Sequence, residues 1–333
     1  MKIGAHQLPD PALMLAPMAG FTDLPFRELC RSWGADYAVA EMTASRADLR
    51  DREKSLTRWV EPGESGIKVV QLLGADPAVM AEAAAAAEAD GADVIDINMG
   101  CPAKKVLHAE CGSALMRDEG LVREILTAVT GAVTIPVTLK IRTGWERAHR
   151  NAPAVARIAE ESGIAMLAIH GRTREDAFRG EAEYETIAAV KRFSSIPVVA
   201  NGDITCPAKA LRVLELTRAD GLMIGRGAVG RPWIFAAVRA AIEGKPFSEP
   251  GPGELLRVIL DHRARHFDYY DGRRAVRTFR KHLAAYLRPL AGSEEALPAL
   301  LAEEDPERQI AMVRAFLERA RAFSEPSSSP DPE

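Results

Sequence analysis

A thiol, an ammonium, an imidazole and two amides occupy positions in this chain where side chains usually just fill space. In Asp96-Ile97-Asn98-Met99-Gly100-Cys101-Pro102-Ala103-Lys104-Lys105-Val106, Cys101 stands one residue beyond a glycine, where an apolar run ends. A cysteine so placed reads three ways: a small buried hydrophobe, a metal ligand, or a reagent. Lys140 and Arg142 close another apolar run, IPVTLKIR, and His170 closes AMLAIHG. A lysine ending a buried run is costly unless its charge is used, which favours a functional role for Lys140 over a structural ion pair. The remaining candidates are more ambiguous: Gln71 and Asn98 read equally as amides capping loops, His170 as a satisfied interior histidine, and Asn201-Gly202-Asp203 as a turn. The four cysteines, Cys30, Cys101, Cys111 and Cys206, include no CxxC pair and no nearby histidine at zinc spacing, so neither a disulfide framework nor a metal site is expected. Cys30, Cys111 and Cys206 read as packing.

The elements that must position these groups recur regularly. Runs rich in Val, Ile and Leu occur at 13–17, 36–42, 67–73, 92–100, 135–142, 165–171, 196–203 and 219–227, each ending in small or polar residues. Between them lie Ala- and Glu-rich stretches of helical period, such as PAVMAEAAAAAEADG and APAVARIAEESGI. Alternating strands and helices imply parallel pairing, and strands apolar along their whole length imply a sheet covered on both faces. Eight such units predict an α/β fold, a (β/α)8 TIM barrel. A doubly wound open sheet has one witness, the GxGxxG of Gly225 to Gly230. That motif belongs to the first βα turn of a dinucleotide fold, whereas here it follows the last strand and lacks the acidic residue at the end of a next strand.

In a barrel, reactive groups gather at the C-terminal ends of the strands. Those ends supply Pro17, Met18 and Ala19; Gln71; Asn98 with Cys101; Lys140 with Arg142; His170; Asn201, Gly202 and Asp203; and Gly225 with Arg226. Small residues and a phosphate cradle on one side, with an amide, an ammonium and an imidazole opposite, suit an anionic, planar, phosphate-bearing ligand. Reduced flavin mononucleotide (FMN) is such a ligand: a lysine stabilises the charge near N1 and the C2 carbonyl. Gln71 would bond a ring edge, and loops 201–203 and 225–227 would hold the phosphate, with Arg226 as charge partner.

The texture changes at PFSEPGPGE, a Pro/Gly-rich break near 247, after which the pattern is helical. A barrel over 1–246, an all-helical domain over 252–322 and a disordered tail over 323–333 are the expected organisation. Residues 257–288 hold nine Arg/Lys against three Asp, interleaved with aromatic residues, in a chain of net charge −4. Such a local excess points to nucleic acid, against the alternative of a solvated face. No apolar run reaches the eighteen or so residues that span a bilayer, and the start lacks a signal-peptide pattern, so a cytoplasmic protein is expected.

Several motifs together resemble the tRNA-dihydrouridine synthase family, in particular its bacterial B subfamily, over roughly residues 1–320. They are APMAGFTDLPFR (16–27), VVQLLG (69–74), DINMGCPAKKV (96–106), GSALM (112–116), VTLKIRTGW (137–145), IHGRTR (169–174), VVANGDI (198–204), GRGAVGRPWIF (225–235) and FRKH (279–282). The resemblance implies reduction of the C5–C6 double bond of particular tRNA uridines, with FMN reduced by NADPH. It implies hydride delivery from flavin N5 to uracil C6 and protonation of C5 by Cys101. Within the family's motifs Asn98 and Arg142 resemble uracil-holding residues, while Pro17 to Ala19, Gln71, Lys140, His170, Asn201 to Asp203, Gly225 and Arg226 match FMN positions. Elementary chemistry agrees: hydride addition to an α,β-unsaturated carbonyl needs a proton donor at the other carbon and positive charge near the oxyanion. A thiol with an unperturbed pKa of about 8.5 is mostly protonated at neutral pH and can donate. Lys104, Lys105, Arg277, Arg280 and Lys281 are the expected tRNA contacts, and the family implies a monomer. The competing readings are an FMN-dependent barrel acting on a small metabolite, a lysine Schiff-base lyase, and a non-catalytic RNA-binding protein.

Overall fold

The computed structural model describes residues 1–50 and 58–324. They form two compact units, one comprising Met1–Ala228 with Trp233–Pro246, the other comprising Val229–Pro232 with the residues from Phe247 on.

The first unit opens with a two-residue hairpin, β1 (Lys2–Ile3) and β2 (His6–Gln7), followed by β3 (Ala12–Leu15), β4 (Tyr37–Ala38) and β5 (Thr43–Ala44). Then come β6 (Val69–Leu73), β7 (Val94–Met99), β8 (Val137–Arg142), β9 (Met166–His170), β10 (Val198–Asn201) and β11 (Gly221–Ile224). Strands β3 to β11 make one sheet in the order β4-β3-β11-β10-β9-β8-β7-β6-β5, every pair parallel. The two ends of that order meet. Val39 bridges Val69, and the Ala40 N–H donates to the Val69 carbonyl at 3.3 Å.

The sheet is therefore a closed barrel of eight staves, the second divided into β4 and β5. The sequence predicts one continuous strand over 36–42. In the structure β4 pairs with β3, and the chain then passes to β6, with which β5 pairs. Tilted barrel strands exchange neighbours in this way along their length.

The barrel interior is a packed core rather than a channel. Met14, Val39, Val69, Val94, Met166, Val199 and Met223 pack with Ile3 of the hairpin, which closes one end. The helices start where local chemistry dictates. Asp23 accepts from the Phe26 N–H at 3.2 Å, Asp76 from the Ala78 N–H at 2.9 Å, and Asp118 from the Leu121 N–H at 3.0 Å. Pro25 and Pro77 supply preset φ angles in the first turns of the first two of these helices.

Helices Pro252–Tyr269, Gly272–Leu287, Ser293–Ala302 and Pro306–Ser324 build the second unit around Ile259, Val276, Phe279, Leu283, Leu300, Val313 and Phe316, all buried. The expected tail over 323–333 lies outside the described residues from 325 on. Among the described residues, no helix is long and apolar enough to cross a membrane.

Candidate active site

Strand ends deliver the candidate groups to one end of the barrel. Arg142, His170 and Asn201 are the last residues of β8, β9 and β10, and Cys101 lies two residues beyond β7. Parallel register sets Asn98 beside Lys140 and Arg142 beside His170.

Cys101 is partly exposed and its loop is held from several sides. The Asn98 side-chain oxygen accepts from the Gly100 N–H at 3.1 Å and the Cys101 N–H at 2.9 Å. The Cys101 carbonyl accepts from the Ser113 N–H at 3.1 Å and the Ser113 hydroxyl at 2.9 Å. Gly112, at φ 62°, lies against the same loop, and a Cβ there would stand 2.8 Å from the Cys101 carbonyl oxygen.

Asn98 is itself held by a chain running into the barrel. Its Nδ2 donates to Gln71 Oε1 at 2.8 Å, and Gln71 Nε2 donates to Asp96 Oδ2 at 2.6 Å. The Thr138 hydroxyl donates to Asp96 Oδ1 at 2.6 Å. Gln71, expected at a flavin edge, is fully buried with both ends of its amide in this chain. Burial pushes the Asp96 carboxyl up, opposed by the bonds from Thr138 and Gln71 and by the charge of Lys140. Asp96 was missed in the sequence, although a carboxylate inside an otherwise apolar strand signals a specific partner set.

Arg142, 2% exposed, clamps two loops together. Its Nε donates to the Gly100 carbonyl at 2.7 Å, and its Nη1 to the carbonyls of Thr173 and Ala177 at 2.9 and 2.8 Å. The guanidinium also lies 5.5 Å from the ring of Phe178, a residue 56% exposed beside the strand ends.

Lys140 donates to Asn201 Oδ1 at 3.1 Å, and Asn201 Nδ2 donates to the Met223 carbonyl at 2.6 Å. Burial, with the charge of Arg142, lowers the Lys140 ammonium to about 8, while Asp96 and Cys101 act in the opposite sense. Asn98 pairs in register with Lys140, and Arg142 bonds the Gly100 carbonyl, so the loop that carries Cys101 starts alongside both cations. Burial first, then Lys140, Arg142, Arg172 and Arg226, pushes His170 well below the ordinary imidazole range, so it is neutral.

Arg172, inside the IHGRTR motif and not among the residues expected at the site, holds Asp203 bidentately at 2.9 and 2.7 Å, and Arg226 reaches Asp203 at 3.2 Å. Against the upward pull of burial, these bonds and that from the Ala182 N–H keep the Asp203 carboxyl low. Gly202, at φ 127°, packs so closely that a Cβ would lie 2.7 Å from Ala182 Cβ. Two glycines of the GxGxxG stretch serve close packing. A Cβ on Gly227 would stand 3.2 Å from the Ile234 side chain, and one on Gly230 would stand 3.0 Å from the Tyr286 N–H nitrogen. Pro17 and Met18 are partly exposed, Ala19 is exposed, and Gly225 approaches Met18 and Ala16.

This donor set fits FMN. Lys140, Arg142, Arg172 and Arg226 carry four positive charges against the three carboxylates of Asp96, Asp176 and Asp203 that act on them, which leaves an excess of positive charge for an anion. The Gly225-Arg226-Gly227 turn presents small residues and a half-exposed guanidinium beside the strand ends, as a phosphate requires.

The expected tRNA contacts divide into three. Lys104 and Lys105 are exposed at the start of helix Lys104–His108, just after Cys101. In the second unit, Arg273, Arg274, Arg277 and Thr278 line an open recess. Arg280 points its Nη2 to the carbonyls of Ala302 and Glu303 at 3.3 and 3.1 Å, closing the end of a neighbouring helix, and Lys281 is partly exposed.

Comparison with known proteins gives a consistent result. The family model described as "Dihydrouridine synthase (Dus)" matches residues 14–321. The chain is 50% identical over 322 residues to tRNA-dihydrouridine synthase B of Pseudomonas putida, covering 96% of this chain and 95% of that protein. It is 47% identical over 319 residues to tRNA-dihydrouridine synthase B of Escherichia coli K12, covering 96% and 99%. Among solved structures, an old yellow enzyme homologue from Zymomonas mobilis superposes with a TM-score of 0.53 at 14% identity, over 77% of this chain and 94% of that one. At that identity the likeness shows the barrel fold alone.

Proposed function

The chain belongs to the dihydrouridine synthase family, and from that premise we propose that it reduces the C5–C6 double bond of specific uridines in tRNA, using FMN and, as electron donor, NADPH. The observation that carries the reading is Cys101: a partly exposed thiol on a loop anchored by Asn98, Ser113 and Arg142, at the end of the strand that pairs with the one carrying Lys140.

FMN, when bound, supplies a hydride to C6 of the uracil. The chain's own residues do the rest. Cys101 donates its thiol proton to C5, so that the ring gains two hydrogens, and the thiolate is reprotonated from solvent. Arg142 fixes the carbonyl of Gly100, one residue before the sulfur, and so sets the position of the thiol. Lys140, steered by Asn201, would supply the positive charge that stabilises a reduced, anionic cofactor. His170, held neutral, offers a hydrogen bond without adding another positive charge. Lys104 and Lys105 beside the cysteine loop, and Arg273, Arg274 and Arg277 in the helical unit, are suited to phosphates of a folded RNA.

The test is Cys101→Ala assayed with tRNA lacking dihydrouridine. The variant should bind FMN and tRNA as the wild type does, while dihydrouridine formed per minute, measured by mass spectrometry of nucleosides, falls by roughly 10²–10⁴-fold. Unchanged product formation would remove Cys101 from the reaction. A wild-type protein that binds flavin but forms no dihydrouridine on any tRNA would favour a small-metabolite substrate.

A further inference from the structure

The helical unit carries a side-chain cluster that the proposed reaction does not use. His262 and His266 stand one turn apart on helix Pro252–Tyr269, and His282, the last residue of the FRKH motif, comes from helix Gly272–Leu287. All three are buried, and one ring nitrogen of each lies within 4.8 Å of the other two. The His262 and His282 ring centroids are 4.5 Å apart, with His266 at 6.2 Å from His262 and 6.0 Å from His282. We propose that this triad binds one transition-metal dication of the zinc class, with a water molecule as fourth ligand.

The spacing is the first support. Histidines four residues apart share a helix face, and a third imidazole facing them completes the three-ligand set that zinc and its neighbours favour. Donors around a zinc at about 2.0–2.1 Å lie roughly 3.4 Å from one another. Separations within 4.8 Å therefore close by small ring rotations. The ligand type is the second support. An all-imidazole set selects zinc, cobalt, nickel or copper and disfavours magnesium and calcium, which require oxygen donors.

The surroundings are the third. Metal-bound imidazoles are oriented by a hydrogen bond at the other ring nitrogen. Here Tyr286 Oη lies 3.0 Å from His262 Nδ1, and Thr278 Oγ1 lies 2.8 Å from His266 Nε2. The Thr278 hydroxyl is itself fixed through the Arg274 carbonyl at 2.7 Å. Phe279 packs on His262 and His266, with centroids at 5.2 and 5.3 Å, and shields the site from bulk water. All three rings are fully buried, and the neutral imidazole is the form that ligates. Lys281 and Arg265 are the nearby positive charges, and Arg265 is paired with Asp261 at 3.0 Å.

The test uses the full-length protein, stripped with a chelator and titrated with Co2+ alone. One equivalent should bind, with the visible absorption bands of a four-coordinate nitrogen site, and Zn2+ should displace it. A hundredfold excess of Zn2+ over its Kd should raise the melting temperature of the helical unit by roughly 10 °C. His282→Phe, which keeps an aromatic ring in the core, should abolish both effects, and Cys101→Ala should retain both. A wild-type protein that shows no saturable band overturns the proposal. So does binding that persists in His282→Phe, or binding that disappears in Cys101→Ala. If His282→Phe does not fold, His266→Gln takes its place, and the wild-type titration decides on its own. None of these readouts depends on uridine reduction.

Discussion

Replacing Gly112 by alanine tests whether the cysteine loop is positioned by packing. Gly112 sits at φ 62°, where an L-residue costs about 1–2 kcal/mol. The new Cβ would stand 2.8 Å from both the Cys101 carbonyl oxygen and Val106 Cγ1, 0.6 Å inside the 3.4 Å at which ordinary contact begins. Val106 is buried, and the Cys101 carbonyl is held by both donors of Ser113, so neither can retreat without breaking something. The cheaper response is a shift of the loop that carries the thiol. A misplacement of 1 Å costs about 10²-fold in rate, so a shift of several tenths of an ångström should cost on the order of 10-fold or somewhat more.

The assay is single-turnover reoxidation of the dithionite-reduced enzyme by tRNA, followed through flavin absorbance, with flavin content measured in parallel. Flavin content should be unchanged while reoxidation slows. Gly131→Ala is the control: it lies near the end of helix Glu119–Ala132 with nothing within 4 Å of the added Cβ, and should be neutral or slightly stabilising. If Gly112→Ala turns over at the wild-type rate, the loop is not held in the way described.

Three further substitutions separate charge from architecture. Lys140 titrates at about 8 in the fold against an ordinary value near 10.5. Below about 8 its buried charge therefore opposes folding in full, and the penalty is relieved as pH rises from about 8 to 10.5, where the unfolded chain holds more protons. Lys140→Met should accordingly stabilise the flavin-free protein at pH 7, by an amount that shrinks above pH 8 in denaturant titrations. FMN affinity of the wild type should begin to fall as pH rises through about 8, and that of the variant should not. In the helical unit, Arg277→Ala should weaken tRNA binding and flatten its salt dependence, with a slope change of about 1 in log K against log salt. Arg280→Ala should instead lower stability by about 1 kcal/mol in thermal unfolding, because it removes bonds to the Ala302 and Glu303 carbonyls.

Most of the barrel was legible because its signal is local. The eight apolar runs coincide with the staves, and Arg142, His170 and Asn201 fall at strand ends where the runs place them. The second run was only partly legible, because its division into β4 and β5 depends on which neighbours the closed barrel offers. Side-chain partners were not legible. Gln71 has the same residue type whatever it bonds, and its bonds to Asp96 and Asn98 exist only in the folded chain. The histidine triad has no short-range signature, because it joins residues 262 and 266 to 282 across two helices, outside any cysteine-based zinc spacing.

By itself, then, the sequence determined the strand and helix pattern, the family through its motifs, and the residue types available at each strand end, since all of these are carried by periodicity and short-range spacing. Only the tertiary structure decided how those residues are spent. It set Asp96, Gln71 and Asn98 into a chain that ends on the backbone of Cys101, turned Arg142 into a clamp, and gathered three imidazoles from separate turns. Hydrogen bonds and burial link residues far apart along the chain, and until the barrel closes and the helices pack there is no distance for them to act over.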